Sequence, residues 1–451
     1  MIAEAACAKP RCRRIVRGLV KTAVVLFVVV LVARLIWGYA EAKRLKAEVA
    51  RISVAGEPLT FKELDAGEPE GSEADDAEPY YEAAIALLRD KNTESLQDAW
   101  TEYAETVKQS PASRPSPDCR EKVATLLANN ALALDMLDRA AKLPACRFDI
   151  GVESGMERCL ERLSRVRACA RLLSARALVC ASEGKGDEAV DSLIRLLQLR
   201  RVCERWPVVI VHLVEVACLS LACMDVAVVL ERSQPSVSAL ARLHDALSAA
   251  DQPWLLRRCL LAERIYCVQL MRDLLVDEHA AAPPGDRVGL GGGFWGRPWA
   301  EHLTVGVLRD YARLLKLSEG SLPDALEAMR GEGAATSVLG EIVNQPMERV
   351  FTLTARALAE VRSAGVATLV ERYRRDHGRV PATLADVVPR YARAVPIDPF
   401  TGRSLLYRQD AQGYVIYGVG ENRTDDGGEV VRVGKTGRPR DNGIRVRIAG
   451  R

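Results

Sequence analysis

The chain has few aromatic residues and little net charge. These two features limit the secondary structure and the kinds of partner that are expected. Aromatic residues make up 5% of the 451 positions, while alanine, leucine, valine and arginine are abundant, which favours helix over sheet. The formal net charge of +3 is too small to indicate a nucleic-acid partner by itself. Because no aromatic residues are interleaved with the basic ones for base stacking, no nucleic acid is expected as a partner.

The common catalytic and metal-binding signatures are also missing from the sequence. It contains no HExxH, GxSxG or P-loop motif, and none of its cysteine and histidine groups has zinc-ligand spacing. A glycine-rich stretch at 289–299, GLGGGFWGRPW, lacks the lysine or GxGxxG spacing of a phosphate-binding loop, so it is interpreted as a connection. These absences favour a binding protein over an enzyme.

One long apolar run organises the chain. Residues 19–39, LVKTAVVLFVVVLVARLIWGY, reach the roughly 20 residues that a helix needs to cross a bilayer. An excess of basic residues before the run predicts a cytoplasmic N-terminus and a single-pass protein of the inner (cytoplasmic) membrane, with its bulk extracytoplasmic. Trp37 and Tyr39 are expected in the far interface. The alternative is a secretory signal cleaved at residues 38–40.

A second apolar run, at 207–230, competes for the same interpretation. It contains His212, Glu215 and Asp225, and each of these side chains is costly in lipid. The run is therefore predicted to be the central buried helix of a soluble domain.

The predicted fold class is mainly α. It has an N-terminal transmembrane helix, an extracytoplasmic α-helical domain and a small C-terminal α+β module. The expected divisions are a cytoplasmic basic tip at 1–18, the anchor at 19–39, and a juxtamembrane helix with an acidic linker at 40–76. The α-helical domain follows at 77–345, and a long helix with a small β-module at 346–451. Helix caps are expected at Asp76, Ser116 and Asp187, and the helix after Ser116 is predicted to continue to about residue 142.

Twelve cysteines in an extracytoplasmic protein leave two interpretations open, disulfides and core packing. A stripe that steps by three and four residues from Cys159 to Cys180 indicates one buried face of a helix. If any cysteines are bridged, Cys119 and Cys146 are the expected pair, because they flank a helix.

The segment after the last long helix resembles a known module. Residues 371–428 contain ERYRRDHGRVPATLADVVP, then VPIDPFTGRSLLYRQDAQGYVIYGVGEN, and resemble the C-terminal module of type II secretion major pseudopilins. The matching positions are Tyr373, Arg374, Asp376, Gly378, Pro381, Pro396, Asp398, Pro399, Phe400, Gly402, Tyr407, Gly413, Tyr414, Ile416, Tyr417, Gly420 and Asn422. The resemblance implies that a small β-module follows the helix.

The residues themselves also predict strands in this module. Residues 405–407 and 414–417 are predicted to be two strands joined by a turn at 410–413, and 430–433 and 444–448 are able to add further strands. In the last of these, apolar residues alternate with Arg445 and Arg447, which places the arginines on one face.

The chain also departs from that family. A pseudopilin processing site has a glycine before the hydrophobic helix and a glutamate five residues in, whereas the five residues that follow Gly18 here, LVKTA, include no acidic residue. Residues 40–370 lie between the anchor and the resembling segment. The chain is therefore not expected to be a filament subunit, and as a whole it resembles uncharacterised single-pass bacterial envelope proteins.

The resemblance also implies a calcium site, because major pseudopilins bind calcium in the C-terminal loop. The corresponding segment ENRTDDGGE offers Asn422, Asp425 and Asp426, and oxygen ligands of this kind suit calcium. The alternative is a solvated turn rich in aspartate and glycine.

The strongest case for catalysis comes from His212, Glu215 and Glu263. Two carboxylates and an imidazole inside a helical core are able to form an acid–base or metal site. The alternative is that arginines satisfy these groups, with Arg257, Arg258 and Arg264 nearby in the sequence.

Three functions are therefore in view. The first is a non-catalytic scaffold that binds the lipid bilayer through 19–39 and other envelope proteins through its helical domain. The second is an accessory of a type II secretion or pilus-like system. The third is a membrane-tethered hydrolase that uses the buried glutamates and histidine.

Overall fold

The structure, a computed structural model, describes residues 9–66, 75–88, 93–275, 296–330, 338–430 and 440–448. Side chains are described in these ranges except at 9–16, 93–97, 273–275 and 338–345. The predicted linker therefore lies partly, and the glycine-rich loop mostly, outside the described residues.

The described chain is mainly helical and has one small sheet. Its helices are α1 Lys9–Val54, α2 Phe61–Asp65, α3 Glu78–Leu87, α4 Thr93–Gln109, α5 Pro117–Asn129, α6 Ala131–Ala140, α7 Met156–Ser182, α8 Gly186–Gln198, α9 Val209–Arg232, α10 Val237–Ala250, α11 Trp254–Leu275, α12 Arg297–Glu319, α13 Leu322–Arg330 and α14 Val338–His377. Short 3-10 helices occupy Leu199–Cys203 and Leu384–Val387. The strands are β1 Leu406–Asp410, β2 Gly413–Gly418 and β3 Asn442–Arg447. A mainly α fold with a C-terminal sheet is confirmed.

The chain divides into two compact units. The anchor unit comprises the described parts of 1–60, 264–312 and 335–341, and the body unit comprises those of 61–263, 313–334 and 342–451.

In the anchor unit, α1 continues without a break from the apolar run to Val54. Except for Leu31, the large apolar side chains from Leu19 to Ile36 are 45–65% exposed. Two described helices are long and apolar enough to cross a membrane, Arg17–Val54 and Val209–Arg232. Only 6% of the most apolar window of the first helix is buried, against 67% for the second, so the prediction that residues 207–230 form a largely buried helix is confirmed.

The core of the body unit is built by α7, α8 and α9. The predicted cysteine stripe of α7 is buried from Cys159 to Ala177, so core packing accounts for it. All ten described cysteines are free thiols, including Cys119 and Cys146. The thiol of Cys119 donates to the carbonyl oxygen of Ala99 at 3.3 Å, so the expected pair is not bridged.

Two helix predictions need correction. The helix that Ser116 caps, with its Oγ accepting from the Cys119 amide at 3.1 Å, ends at Asn129, and α6 begins after Asn130. Asp187 does not cap α8, because that helix already begins at Gly186. Its carboxylate accepts instead from the amide and hydroxyl of Ser236, at 2.6 and 2.8 Å.

The cap predicted at Asp76 is displaced by one residue. Ala77 is the N-cap of α3, and the carboxylate of Asp76 accepts from the Glu78 amide at 3.0 Å. The same carboxylate also accepts from the amide and the guanidinium of Arg147, at 3.0 and 3.1 Å. Asp76 therefore stabilises the start of α3 and joins it to the segment before α7.

The sheet is antiparallel, in the order β1-β2-β3. The predicted turn between β1 and β2 is confirmed, with Asp410 paired to Gly413. In β3 the buried side chains of Ile444 and Val446 alternate with the predicted arginine face. A further strand predicted at 430–433 lies almost wholly outside the described residues.

Buried hydrogen bonds hold the segment before this sheet. Asp398 is 2% exposed, and its carboxylate accepts from the Phe400 amide, the Thr401 hydroxyl and the Val419 amide, at 3.0, 2.8 and 3.2 Å. A Cβ on Gly418 would come within 2.5 Å of the carboxylate, so glycine is required there. One aspartate therefore joins the segment 398–401 to the end of β2.

We expect Asp398→Asn to destabilise the protein by roughly 1–3 kcal/mol, because one acceptor oxygen becomes an amide that leaves a buried donor unpaired. The midpoint of urea unfolding in detergent measures this loss. The matched control is Asp118→Asn, whose carboxylate is 75% exposed beside Lys122 and should change the free energy of unfolding by about 0.5 kcal/mol or less. Equal shifts for the two variants would contradict the assignment.

Candidate functional site

The candidate sites of the body unit lie on two different faces of α9. One face carries the predicted pair His212 and Glu215, each 3% exposed. Another face carries an open stripe that lines a cleft. Because residues three or four apart lie on one side of a helix, the two sets of side chains point in different directions.

In the buried pair, both ring nitrogens of His212 have hydrogen-bond partners. Nδ1 of His212 lies 3.1 Å from Oε2 of Glu215, and Nε2 lies 2.8 Å from the hydroxyl oxygen of Thr354 on α14. That hydroxyl donates to the carbonyl oxygen of Val350 at 2.8 Å. Thr354 therefore has to accept from Nε2–H, which fixes a proton on that ring nitrogen.

This arrangement sets the state of the opposite ring nitrogen. With Nε2 protonated, Nδ1 either carries a second proton as part of an imidazolium–carboxylate pair or accepts from a protonated Glu215. In both states a single proton is shared between His212 and Glu215. Through Thr354, this buried pair links α9 to α14.

The third residue of the predicted catalytic site, Glu263, bonds to the N-terminus of α9. Its Oε2 accepts from the amide of Val209, the first residue of α9, at 2.7 Å. Amides at a helix N-terminus lack partners within the helix, and a carboxylate there also meets the positive end of the helix dipole. Glu263 thus stabilises the start of α9, which also carries His212 and Glu215.

The arginines expected to satisfy these groups have other partners. Arg257 pairs with Glu319 at 3.2 Å, Arg258 donates to the carbonyl oxygens of Glu204 and Arg205, and Arg264 in the anchor unit pairs with Glu57.

The arginine whose charge interacts with Glu215 is Arg200, which the sequence analysis missed. Burial lowers the pKa of Arg200, and the negative charge of Glu215 partly opposes this shift. No spacing rule connects residues 200 and 215, because a 3-10 helix and a turn separate Arg200 from the start of α9.

A cleft of about 620 Å³ opens between α9, α14 and β3. The face that α9 presents to it repeats every three or four residues over about 21 Å, at 1.5 Å per residue, and comprises Leu213, Ala217, Ser220, Met224 and Ala227. Met224 is 46% exposed. Among the described residues, the predicted buried helix therefore has one uncovered side.

Charges at the edge of the cleft are neutralised within the body unit. Each of the four basic residues that line it has a carboxylate partner: Lys108 with Asp225, Arg356 with Glu360, Arg445 with Asp410 and Arg447 with Glu231. The cleft combines a mainly apolar floor with a charge-paired edge, which suits an apolar side of a partner better than an anionic ligand.

In the predicted calcium loop, the acidic side chains face partners from the protein. The Asp425 carboxylate meets Arg408 at 2.9 Å and accepts from the Tyr417 hydroxyl at 2.9 Å. Burial opposes the shift, but these contacts and the Gly427 amide hold the pKa of Asp425 below its ordinary value.

Asn422 and Asp426 bond to each other, with the Asn422 amide donating to Oδ2 of Asp426 at 2.6 Å. Buried Asp441 accepts from the amides of Gly428 and Glu429, at 2.8 and 3.1 Å, and so orders the same loop. Among the residues that the structure describes, no group of three or more His, Cys, Asp or Glu side chains is placed to hold a metal ion. The calcium site stays a prediction.

No protein-family model, curated protein or solved structure matches the chain. The resemblance of residues 371–428 to the pseudopilin module rests on its motifs. What the structure adds is their local role: the Tyr407 hydroxyl donates to the carbonyl oxygen of Pro381 at 3.0 Å, and the Tyr414 hydroxyl donates to Glu371 at 3.0 Å. Both bonds tie the sheet to the end of α14 or to the turn that follows it.

The position of Glu263 predicts a pH dependence of stability. Burial raises the pKa of Glu263, and the hydrogen bond from Val209 opposes this only in part. The folded chain then binds this proton more tightly than the unfolded chain does. The stabilisation is fully present below the ordinary value of 4.5 and is lost as pH rises through the raised folded pKa.

Glu263→Gln keeps an oxygen that accepts from Val209 but does not titrate. We expect its free energy of unfolding to fall less than that of the wild type between pH 4.5 and 7, measured by urea unfolding at several pH values. Glu319→Gln, at a 58% exposed carboxylate, is the control and should keep the wild-type slope. A wild-type slope in Glu263→Gln would refute the interpretation.

Proposed function

We propose that this chain is a single-pass membrane protein whose helical body binds another protein of the cell envelope without catalysis. The observation that carries the binding role is the uncovered apolar side of α9 beside the cleft. The anchor rests on the exposed apolar surface of α1.

The anchor proposal follows from the cost of exposed apolar surface. Side chains from Leu19 to Ile36 that are about half exposed would contact water on every side of a lone helix, and burial in lipid removes that cost. The basic residues ahead of the run support a cytoplasmic N-terminus. We therefore propose that residues 19–39 span the inner membrane and that the body unit is extracytoplasmic.

We expect a double change, Val25→Arg with Val29→Arg, to release the chain from membranes into the alkaline-soluble fraction. Each arginine at the centre of a span opposes insertion by about 2.5–3.5 kcal/mol. The control, Val49→Arg with Val54→Arg, alters the same helix at exposed valines beyond the span and should leave the chain in the membrane pellet. A wild-type chain that is already alkaline-soluble would contradict the anchor.

The shape and chemistry of the cleft support a protein partner. A stripe about 21 Å long at helical spacing matches the apolar side of an amphipathic helix laid into a groove. Small residues on α9, Ala217, Ser220 and Ala227, leave room for side chains of such a helix. Paired charges at the edge resemble the polar rim of a protein interface.

To test the cleft, Met224 is replaced by the photo-crosslinking residue p-benzoylphenylalanine in the full chain. Ultraviolet irradiation of envelopes should yield one discrete adduct, and a second change in the same chain, Ala227→Arg, should abolish it by filling the cleft. The control places the same photoreactive residue at Leu132, which is 65% exposed on α6. The proposal fails if the adduct survives Ala227→Arg or also forms from position 132.

The other two functions have less support. For the hydrolase, His212 and Glu215 do lie together, but they are buried away from the cleft and Glu263 caps α9. The accessory role in a type II secretion or pilus-like system rests on the resemblance of residues 371–428 and stays a prediction.

A further inference from the structure

Within the anchor unit, α12 lies beside the part of α1 that follows the apolar run. Three contacts between side chains form successive rungs along the two helices. The first is an edge-to-face pair of rings, Trp37 and Trp299, with centroids 5.2 Å apart. The second is a contact of 3.4 Å between the Glu41 carboxylate and His302. The third is an ion pair of 2.7 Å between Glu48 and Arg309.

The spacing of the rungs fixes the relative direction of α12 and α1. From the first rung to the last, α1 advances about 16.5 Å and α12 about 15 Å, at 1.5 Å per residue. Residue numbers rise together along both helices, so the helices run parallel. The N-terminus of α12 therefore lies level with Trp37, where the apolar run of α1 ends.

Close packing at this level supports the same placement. A Cβ on Gly38 would lie 3.3 Å from Cγ of Pro298 and 2.6 Å from the Arg34 guanidinium. Glycine at this position lets the first turn of α12 approach α1 directly.

Trp299 nevertheless leaves much of its ring uncovered. Trp299 is 58% exposed. On α1, the residues on either side of Trp37 and Gly38 are exposed as well, Ile36 to 65% and Tyr39 to 75%. Arg297, in the same turn of α12, has a side chain that is 72% exposed. Tryptophan and tyrosine favour the headgroup layer of a bilayer, and a long arginine side chain is able to extend from there to water.

We infer that the first turn of α12, centred on Trp299, lies in the headgroup layer of the bilayer that α1 crosses. The protein then contacts lipid at two places, a spanning helix and an interfacial helix end. This inference rests on the proposed anchor, and the partner is the phospholipid surface.

The test uses the full-length protein in phosphatidylcholine vesicles whose acyl chains carry bromine near the headgroups. Bromine quenches tryptophan fluorescence on contact, so the measured quantity is the emission lost between plain and brominated vesicles. We expect Trp299→Phe, which keeps an aromatic ring against Trp37, to lower that loss by about half, because it removes one of the two described tryptophans at this level, Trp37 and Trp299. Trp254→Phe, at a residue 54% exposed in the body unit, should leave it unchanged.

Flotation of the same vesicles separates the two ideas. If the wild-type chain floats with the vesicles and Trp299→Phe loses as much emission as the wild type, the contact at α12 is refuted while the anchor stands. If the wild-type chain does not float, the anchor and the contact are refuted together.

Discussion

The body unit depends on satisfying the polar groups inside α9. This helix is apolar enough to cross a membrane, yet it carries three buried ionisable side chains. Asp225, with 0% exposure, accepts from the Ser174 hydroxyl at 2.5 Å and pairs with Lys108 at 2.8 Å. A buried charge without such partners is strongly destabilising, so α4, α7 and α14 have to meet α9 at fixed positions. These polar contacts fix which face of α9 meets each neighbouring helix.

Both ends of α9 are fixed in the same way. Glu263 accepts from its first amide. Near the other end, the Arg232 guanidinium donates to the carbonyl oxygens of Val107, Ser110 and Ser113, at 2.6–3.1 Å. These carbonyls belong to the last turn of α4 and the segment after it, where helix carbonyls lack partners of their own. The open stripe of α9 is therefore held between two anchored ends, which gives the cleft a rigid floor.

Local sequence signals predicted most of the fold, because they depend on short spacings. The periodic stripe of α7, the Ser116 cap with Pro117, and the turn between β1 and β2 each follow from neighbours within a few residues. Asp187 shows where such local signals fail. Its carboxylate does not cap α8 but accepts from Ser236, the N-cap of α10, which is distant in the sequence. Likewise, the charge interaction between Arg200 and Glu215 depends on tertiary structure that no local spacing in the sequence indicates.

The candidate site was partly predictable for the same reason. His212 and Glu215 are one turn apart on a helix, so their contact follows from helix geometry. Thr354, which completes the pair, lies on α14 and carries no local signal. The open side of α9 was also hidden, because a helix that is apolar all round predicts burial on every side. Which side lacks a neighbour depends on how α14 and β3 are placed.

The positions of the polar face and the open face of α9 help to decide between the hydrolase hypothesis and the binding hypothesis. A catalytic carboxylate or imidazole has to reach a substrate within hydrogen-bond distance, yet the cleft is lined by residues such as Leu213 and Met224, on a different face from the buried pair. The hydrogen bond from Nε2 of His212 to the hydroxyl of Thr354 joins α9 to α14 and stabilises their packing. The small and apolar side chains that the cleft does present, with paired charges around them, support the proposed binding of another protein.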